Sequence, residues 1–563
     1  MIEKQVPVLI IGGGIVGLSA SLFLSYQGID SLLVERHAGT SLHPRSRGVN
    51  GRTMEMYREL GIDEAVRTAG AELAGTFGIF QGETLASVIE SKPRKEEGKK
   101  KQLPGTGLFA RLGPAQAARG TQDKVEPVLL TAARERGGDL RFHTELVTFE
   151  QDTSGVTATV REREDGREYV VRADYMLAAD GAGSRVRSAL GVSTSGRGSL
   201  GYLLNILFQA DLSELVRGRR FSMCLIERPE VRGLFTSINN KDIWVFHLSY
   251  NASKGEKPED FPPERCKELL HLALGLPEIA LEIKSILPWE SAVRVTDGFQ
   301  QGRVFFAGDA AHQMPPWGGQ GANSGIADVH NLAWKLAAVL KGQAGPALLA
   351  TYDLERRPVG RVAAEESGAA ADDQGLVVVG KGSLFALIRR MPRLLGYGYE
   401  YTSPAIMLAP GARPKSFLWQ LLSGRGLLGL DGRPGARAPH LWVERQGQRI
   451  STLDLFGKGF VLLTGPEGDA WCQAASAVAA RLGLDLVVYR IGPAGDLLAP
   501  RHAWSASAGI SDRGALLVRP DGFVAWRSRG QSGDLQQQLE QVLMHLLCRE
   551  AVQERSEAVV DHR

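Results

Sequence analysis

Residues 302–341 read GRVFFAGDAAHQMPPWGGQGANSGIADVHNLAWKLAAVLK: a strand, an Asp-bearing turn, a Pro/Gly loop and a long amphipathic helix in direct succession. Residues 303–307 form a short apolar run between Gly302 and Gly308, the pattern of a buried parallel strand, and Asp309 follows at its carboxyl end, where ligands bind in open α/β sheets. A carboxylate there can accept sugar hydroxyls. Residues 314–323 contain prolines at one end and glycines at the other, so the backbone is stiff and then free to pass close to a flat ligand. In the helix that follows, Ile326, Val329, Leu332, Ala333, Leu336, Val339 and Leu340 recur at helical spacing, and Asn323 or Ser324 is placed to cap its start. The free amides and positive dipole end of that helix would face a negatively charged group.

At the amino end, residues 6–11 are an apolar strand. Gly12, Gly14 and Gly17 then make GxGxxG, with Gly13, Ile15 and Val16 between them, a helix follows, and residues 31–34 form a second strand ending on Glu35 and Arg36. A glycine fingerprint alone is weak, but strand before, helix after and an acid at this distance predict dinucleotide binding. Glu35 would take ribose hydroxyls and the amides of residues 13–16 a pyrophosphate. A Gly-rich turn that merely packs helix on strand would not need Glu35.

Residues 43–59 carry Arg45, Arg47 and Arg52 in a loop running into a helix. Arg45 is read as reaching the bound dinucleotide, the alternative being a solvated basic loop. The charge run at 92–101, KPRKEEGKKK, reads as a mobile surface loop without function. Gln122 opens a helix and is a candidate hydrogen-bonding partner of the ligand. Alternating runs around 164–167 predict a hairpin leading to Asp180 and Gly181; in most proteins an Asp-Gly there is only a turn. Between 202 and 250 several alternating runs predict a mostly antiparallel sheet. Its aromatic stripe, Phe221, Met223, Phe235, Trp244 and Phe246, together with Trp289, is either core or the lining of a substrate pocket. Residues 404–439 read as a Pro/Gly/Arg-rich linker, and 451–548 as a second α/β unit.

The 563 residues exceed one core, and 43 % hydrophobic with 23 % charged residues is ordinary for globular protein. A net charge of +3 is too balanced for a nucleic-acid scaffold. Cys224, Cys266, Cys472 and Cys548 lie far apart, with no CxxC pair, which indicates neither a disulfide framework nor a dithiol relay and suits a reducing cytoplasm; no metal site is expected. No apolar run is long enough to span a bilayer.

Taken together, GxGxxG with Glu35, the Asp180-Gly181 segment and Gly308-Asp309 with its Pro/Gly loop resemble the class A FAD-dependent aromatic monooxygenases, the family of p-hydroxybenzoate hydroxylase and phenol hydroxylase. The phrases GARAPH, STLDLFGKGFVLL and LLVRPDGFVAW resemble the branch that tailors aromatic polyketides. The resemblance implies an α/β fold: a Rossmann-type FAD-binding domain from 1–185 and 286–400, a substrate domain with an antiparallel sheet at 186–285, a linker at 401–440 and a thioredoxin-like domain at 441–548. It places Asp180 and Gly181 near the FAD diphosphate and the NADPH or NADH path. It puts Gly308 and Asp309 at the ribityl chain, and Pro316, Gly319, Gly321, Ala322 and Asn323 against the isoalloxazine. NAD(P)H and O2 are the implied co-substrates, acting through a flavin C4a-hydroperoxide on a small phenolic, polycyclic substrate. The implied unit is a monomer or homodimer. Baeyer–Villiger insertion, oxidative rearrangement and a non-catalytic FAD-binding escort protein are the alternatives. Trp317, between Pro316 and Gly318, is expected to shield the pocket, the alternative being an indole packed in the interdomain core. Cys472 stands at a thioredoxin-like site whose partner position holds Ala475, so that unit is expected to be redox-inactive.

Overall fold

The computed structural model describes residues 2–75, 78–93, 112–378, 393, 396–408 and 430–549. Most of the charge run at 92–101 and the middle of the expected linker, 409–429, lie outside them.

The parallel sheet is ordered Val304–Phe306, Glu168–Ala178, Ile2–Ile11, Ser31–Glu35 and Asp139–Phe142. Its strands are continuous apolar runs because both faces are covered, with Val8, Leu9, Ile10, Leu32, Leu33, Val304 and Phe305 fully buried. The helix Ile15–Tyr26 packs against the long helix Gln320–Leu340, so the two ligand-facing helix starts lie side by side. The long helix begins earlier than its sequence suggests. Gly319, at φ +65°, is the cap and no side chain caps it; Asn323 instead lies inside the helix and donates back to the Gly319 carbonyl at 2.7 Å.

The second sheet runs His312–Gln313, Glu282–Thr296, Thr194–Gln209, Ile243–Tyr250, Val231–Ser237, Phe221–Arg228 and Gly78–Gly82. All of its pairings are antiparallel except the last. Two expected boundaries are corrected. The one at 285/286 falls inside the strand Glu282–Thr296, which pairs along most of Thr194–Gln209. Gly78–Gly82, from the amino-terminal part of the chain, closes the far edge of this sheet.

The carboxyl-terminal unit is a sheet centred on Phe460–Thr464, with the helices Asp469–Leu482 and Leu535–Leu546 packed together beside it. The described ends of the expected linker are not a free tether. Tyr401 and Arg437 are buried, and Arg437 Nε bonds Glu55 at 2.9 Å. Trp334 and Ala338 of the long helix enter the core of this unit, and Trp334 meets Phe460 edge to face at 5.9 Å. The long helix is therefore buried on two sides, where sequence periodicity showed one.

A buried charge network joins that helix to the carboxyl-terminal unit. Glu355 accepts from Lys335 Nζ at 2.9 Å, from Arg519 at 2.6 and 2.8 Å and from Ser403 at 2.6 Å. Arg519 also holds Asp521, and Asn331 bonds both acids. Burial alone would raise Glu355, but Arg519 and Lys335 outweigh it and hold the carboxyl well below its usual range. Burial lowers Lys335 to about 8 despite the same partner. Removing one member of such a network strands the others in low dielectric. Arg519→Met is expected to destabilise the fold by about 3–5 kcal/mol, read as a Tm several degrees lower. Because the folded state depresses Glu355, its contribution is complete above the ordinary carboxylate range and is lost as pH falls through it. On acidification toward about pH 4, the wild type should lose Tm faster than Glu355→Gln. Equal Tm in wild type and Arg519→Met would show that the network does not hold the units together.

Candidate active site

Glycine is required where the chain closes on itself at the amino end of the first helix. A Cβ on Gly12, which sits at φ +109°, would overlap the Ala179 carbonyl, and one on Gly17 would overlap the Gly12 carbonyl. The GxGxxG turn is thus pressed onto the strand end that carries Asp180. Val16 in turn touches the ceiling: a Cβ on Gly308 would lie 2.8 Å, and one on Gly325 2.6 Å, from its Cγ2. Three segments remote in sequence therefore converge on one cleft.

Glu35 lies on its wall with 12 % of its side chain exposed, accepting from Gly13 N at 2.7 Å and His37 N at 2.8 Å. Arg36 points away and is exposed, its carbonyl accepting from Arg163. Gln122 donates at 2.6 Å to Glu126, which also accepts from Ser41 N at 2.7 Å. Glu126 was passed over as a site residue. It is 1 % exposed, raised by desolvation, and a Cβ on Gly14 would sit 3.5 Å from its oxygen, so it braces the glycine turn from beneath. The Arg45 side chain is exposed, and its carbonyl accepts from Gln122 N at 2.7 Å.

Asp180 Oδ2 accepts from Val186 N at 3.3 Å, while its Oδ1 is buried without a partner. Arg187 ties this segment to the ceiling through the Ala310 and Ala182 carbonyls, both at 2.9 Å. Asp309 is solvent-accessible, but only at the bottom of a cleft whose walls raise its pKa by desolvation, with His312 and Arg45 opposing. Asp328 lies behind it, a buried acid that helical periodicity could not flag. Its carboxylate accepts from Gly308 N at 3.1 Å, His312 Nε2 at 2.8 Å and Arg356 Nε at 2.8 Å. Burial pushes Asp328 up, but Arg356 and His312 more than offset it and keep it ionised.

The Pro/Gly loop presents backbone. Pro316, Gly318 and Gly319 are exposed and Gly321 and Ala322 half-exposed. Asn323 has no side-chain capacity left for a ligand: its oxygen accepts from Asn50 N at 3.0 Å and Thr53 Oγ1 at 2.7 Å, and its nitrogen donates to Gly48 and Gly319. It latches the ceiling helix to the 48–53 segment. Gly181, at φ +82°, makes the turn after Asp180.

The residues present fit FAD: an acid beside a glycine turn, an unsatisfied Asp180 oxygen, an accessible Asp309, and helix starts not capped by side chains. All lie around one cleft.

The antiparallel sheet turns one face to this cleft, and the aromatic stripe divides between its two faces. Phe221, Phe235, Trp244 and Phe246 are not pocket residues. They pack with Leu85, Leu270 and Leu274 on the far side, Phe221 stacked on Trp244 at 5.7 Å. Alternation sends 235, 244 and 246 to one side, and the register shift between Phe221 and Met223 sends Phe221 after them. Met223 and Trp289 remain on the near face, partly exposed, beside Leu203, Leu225, Leu234 and Trp317. Trp317 is 5 % exposed and its Nε1 donates to the Gly375 carbonyl at 3.1 Å. Its faces and its polar edge are both taken by protein, which corrects the expectation of a shield open to the pocket.

The model of an FAD-binding domain matches residues 5–367, and that of the aromatic-ring hydroxylase carboxyl-terminal domain matches 431–549. A putative polyketide hydroxylase of Streptomyces halstedii is 42 % identical over 562 residues, 96 % of each chain. The tetracenomycin A2 monooxygenase-dioxygenase of Streptomyces glaucescens is 39 % identical, covering 96 % of this chain and 98 % of its own. The crystal structure of aklavinone-11 hydroxylase with FAD and aklavinone superposes with a TM-score of 0.84 at 39 % identity, over 98 % of this chain and all of that one.

Glu35→Ala should weaken FAD binding by roughly ten- to a hundredfold, the worth of a charge-assisted hydrogen bond, with folding intact; unchanged affinity by flavin fluorescence titration would remove Glu35 from the site. Trp317→Ala should cost about 3–5 kcal/mol as a large-to-small core change, so a Tm within a degree of wild type would show that the indole is not core.

Proposed function

The chain belongs to the FAD-binding aromatic-ring hydroxylases, and from that premise we propose that it hydroxylates a phenolic ring of a polycyclic, polyketide-type substrate at the expense of NAD(P)H and O2. When bound, FAD supplies the redox chemistry, accepting reducing equivalents from NAD(P)H and activating O2 for transfer to carbon. The chain's own residues bind, orient and exclude water.

The observation that carries the reading is the common wall. Trp317 of the Pro/Gly loop packs with Leu203, Leu225 and Leu234 of the antiparallel sheet, which brings the sheet against the cofactor's ceiling, and the partly buried Met223 and Trp289 beside them suit a flat apolar ring system. Met223 and Trp289 keep some exposure there. Trp317, buried and bonded to Gly375, packs the ceiling loop against the sheet, and a packed junction there would help exclude water from the reaction. The exposed amides of the Pro/Gly loop and the first turn of the long helix offer positive partial charge where negative charge develops. Among the described residues no helix is long and apolar enough to cross a membrane. The four cysteines are free, in keeping with a reducing cytoplasm.

FAD-loaded protein, incubated with an NAD(P)H-regenerating system, ¹⁸O2 and a panel of polycyclic phenols and quinones, should oxidise NAD(P)H faster with substrate. It should yield a product one oxygen heavier that carries the label. NAD(P)H oxidation that no aromatic compound stimulates, or a hydroxylated product that lacks the label, would overturn the reading.

A further inference from the structure

On the near face of the antiparallel sheet the apolar lining is interrupted by one polar island. Asn205 and His247 lie directly opposite each other on paired strands. The imidazole Nδ1 is 2.5 Å from Asn205 Oδ1 and its Nε2 3.2 Å from Thr236 Oγ1. Those partners select a neutral ring that donates from Nδ1 and accepts at Nε2. Beside it stands Trp289, edge-on to the His247 ring at 6.4 Å, its Nε1 buried without a hydrogen-bond partner.

The loop that precedes the 48–53 segment lowers two more side chains onto the island. His43 is 4 % exposed and lies beside the Asn205 backbone carbonyl, yet neither ring nitrogen is aligned with any partner. Arg47 donates to the Ser222 carbonyl at 3.1 Å, and among the described residues no carboxylate pairs with it. Desolvation lowers it to about 10. Burial and the neighbouring Arg45 lower His43 to about 4; burial, then His43 and Arg47, lower His247 to about 3. Both imidazoles are neutral at neutral pH. Asp123, the acid that acts on His43, is the second residue of the helix that Gln122 opens.

A half-solvated guanidinium without a carboxylate, two unsatisfied ring nitrogens and an unsatisfied indole N–H on one wall of an otherwise apolar cleft are costly unless a ligand oxygen meets them. We propose that Arg47 and His43, backed by the Asn205–His247 pair, receive an ionisable phenolic or enolic oxygen of the substrate, with Arg47 binding its anionic form. The inference rests on the hydroxylase reading and deepens it. An oxygen held as phenolate at Arg47 fixes the ring in the cleft and raises the electron density of its ortho and para carbons, while the proton released on ionisation passes to solvent. His247 is a positioning residue: locked by Asn205 and Thr236, it supports the site without touching a proton that moves.

The test uses the FAD-loaded enzyme and 1,8-dihydroxyanthraquinone, whose absorption moves beyond the flavin bands on ionisation, with the dimethyl ether as control. The bound probe should ionise about one to three pH units below the free one, the shift an adjacent cation produces. Arg47→Met should return the midpoint by at least one unit, a tenfold loss of phenolate preference, with Arg47→Lys between the two and FAD content unchanged. His43→Leu should weaken the phenol and leave the dimethyl ether unaffected. If Arg47→Met does not retain FAD, Arg47→Lys and His43→Leu decide alone. A bound probe that ionises as in solution, or a shift unchanged in these variants, overturns this site alone. A wild-type enzyme whose NAD(P)H oxidation no polycyclic phenol stimulates overturns the hydroxylase reading and this site with it.

Discussion

Glu355 is the point on which the architecture turns. It lies on the helix Thr351–Gly368 and accepts from Lys335 of the ceiling helix, from Arg519 of the carboxyl-terminal unit and from Ser403 in the expected linker. Four remote segments are therefore brought to one carboxylate with no water-exposed side. Buried charges of this kind gain little stability over an apolar core, because desolvation consumes most of the attraction. Their effect is on register: any slip of the ceiling helix would leave Lys335, Asn331 or Glu355 unpaired. The same cluster reaches the cofactor side. Arg52 donates to the Asp521 carbonyl at 2.7 Å, and Arg52 belongs to the helix Gly51–Glu59, capped by Asn50, which also donates its own N–H to Asn323.

That chain of contacts gives the carboxyl-terminal unit a role that needs no thiol chemistry. Cys472 is half-buried and its thiol is pushed up by burial, while Ala475 is fully buried in the apolar core between this unit and the long helix. Ala475 is here packing material. The unit acts as a backing plate: Phe460, Leu462 and Trp471 on one side and Arg519 and Asp521 on the other fix the ceiling helix from behind, so its amino end presents the Pro/Gly loop at a set depth.

What the sequence made legible follows from how local each signal is. The strand, turn, loop and helix of 302–341 and the GxGxxG turn with Glu35 are short-range patterns, and the elements stand in the order the patterns give, with only the start of the long helix displaced. Two kinds of feature were out of reach. Period-two alternation shows that Phe235 and Met223 lie on a sheet, but which face meets the cleft depends on a register shift and on helices distant in sequence. Buried acids such as Asp328 and Glu126 sit within helices as ordinary polar residues until tertiary partners reveal that Gly308, His312, Arg356, Ser41 and Gln122 converge on them. The missed cap at Gly319 has the same origin: Asn323 has the right side chain for a cap, but that side chain is spent on Asn50, Thr53 and Gly48.

The division between rigid and open parts of the site can be argued from the same contacts. Behind the cleft, Asp328, Asn323 and Glu126 leave no polar capacity unused, and each anchors a backbone segment rather than pointing into the cavity. Facing the cleft, Asp180 Oδ1, the His43 nitrogens and Trp289 Nε1 stay unsatisfied. Other buried groups also lack partners, Trp334 Nε1, Trp504 Nε1 and Glu366 Oε2 among them, so what sets these apart is their place beside the glycine turn and on the sheet wall proposed for cofactor and substrate. Asp180 Oδ1 lies at the strand end beside the glycine turn, and the His43 nitrogens and Trp289 Nε1 lie on the sheet opposite. That separation is what a hydroxylase needs, since the ring to be oxidised must be held by a wall other than the one that holds the cofactor.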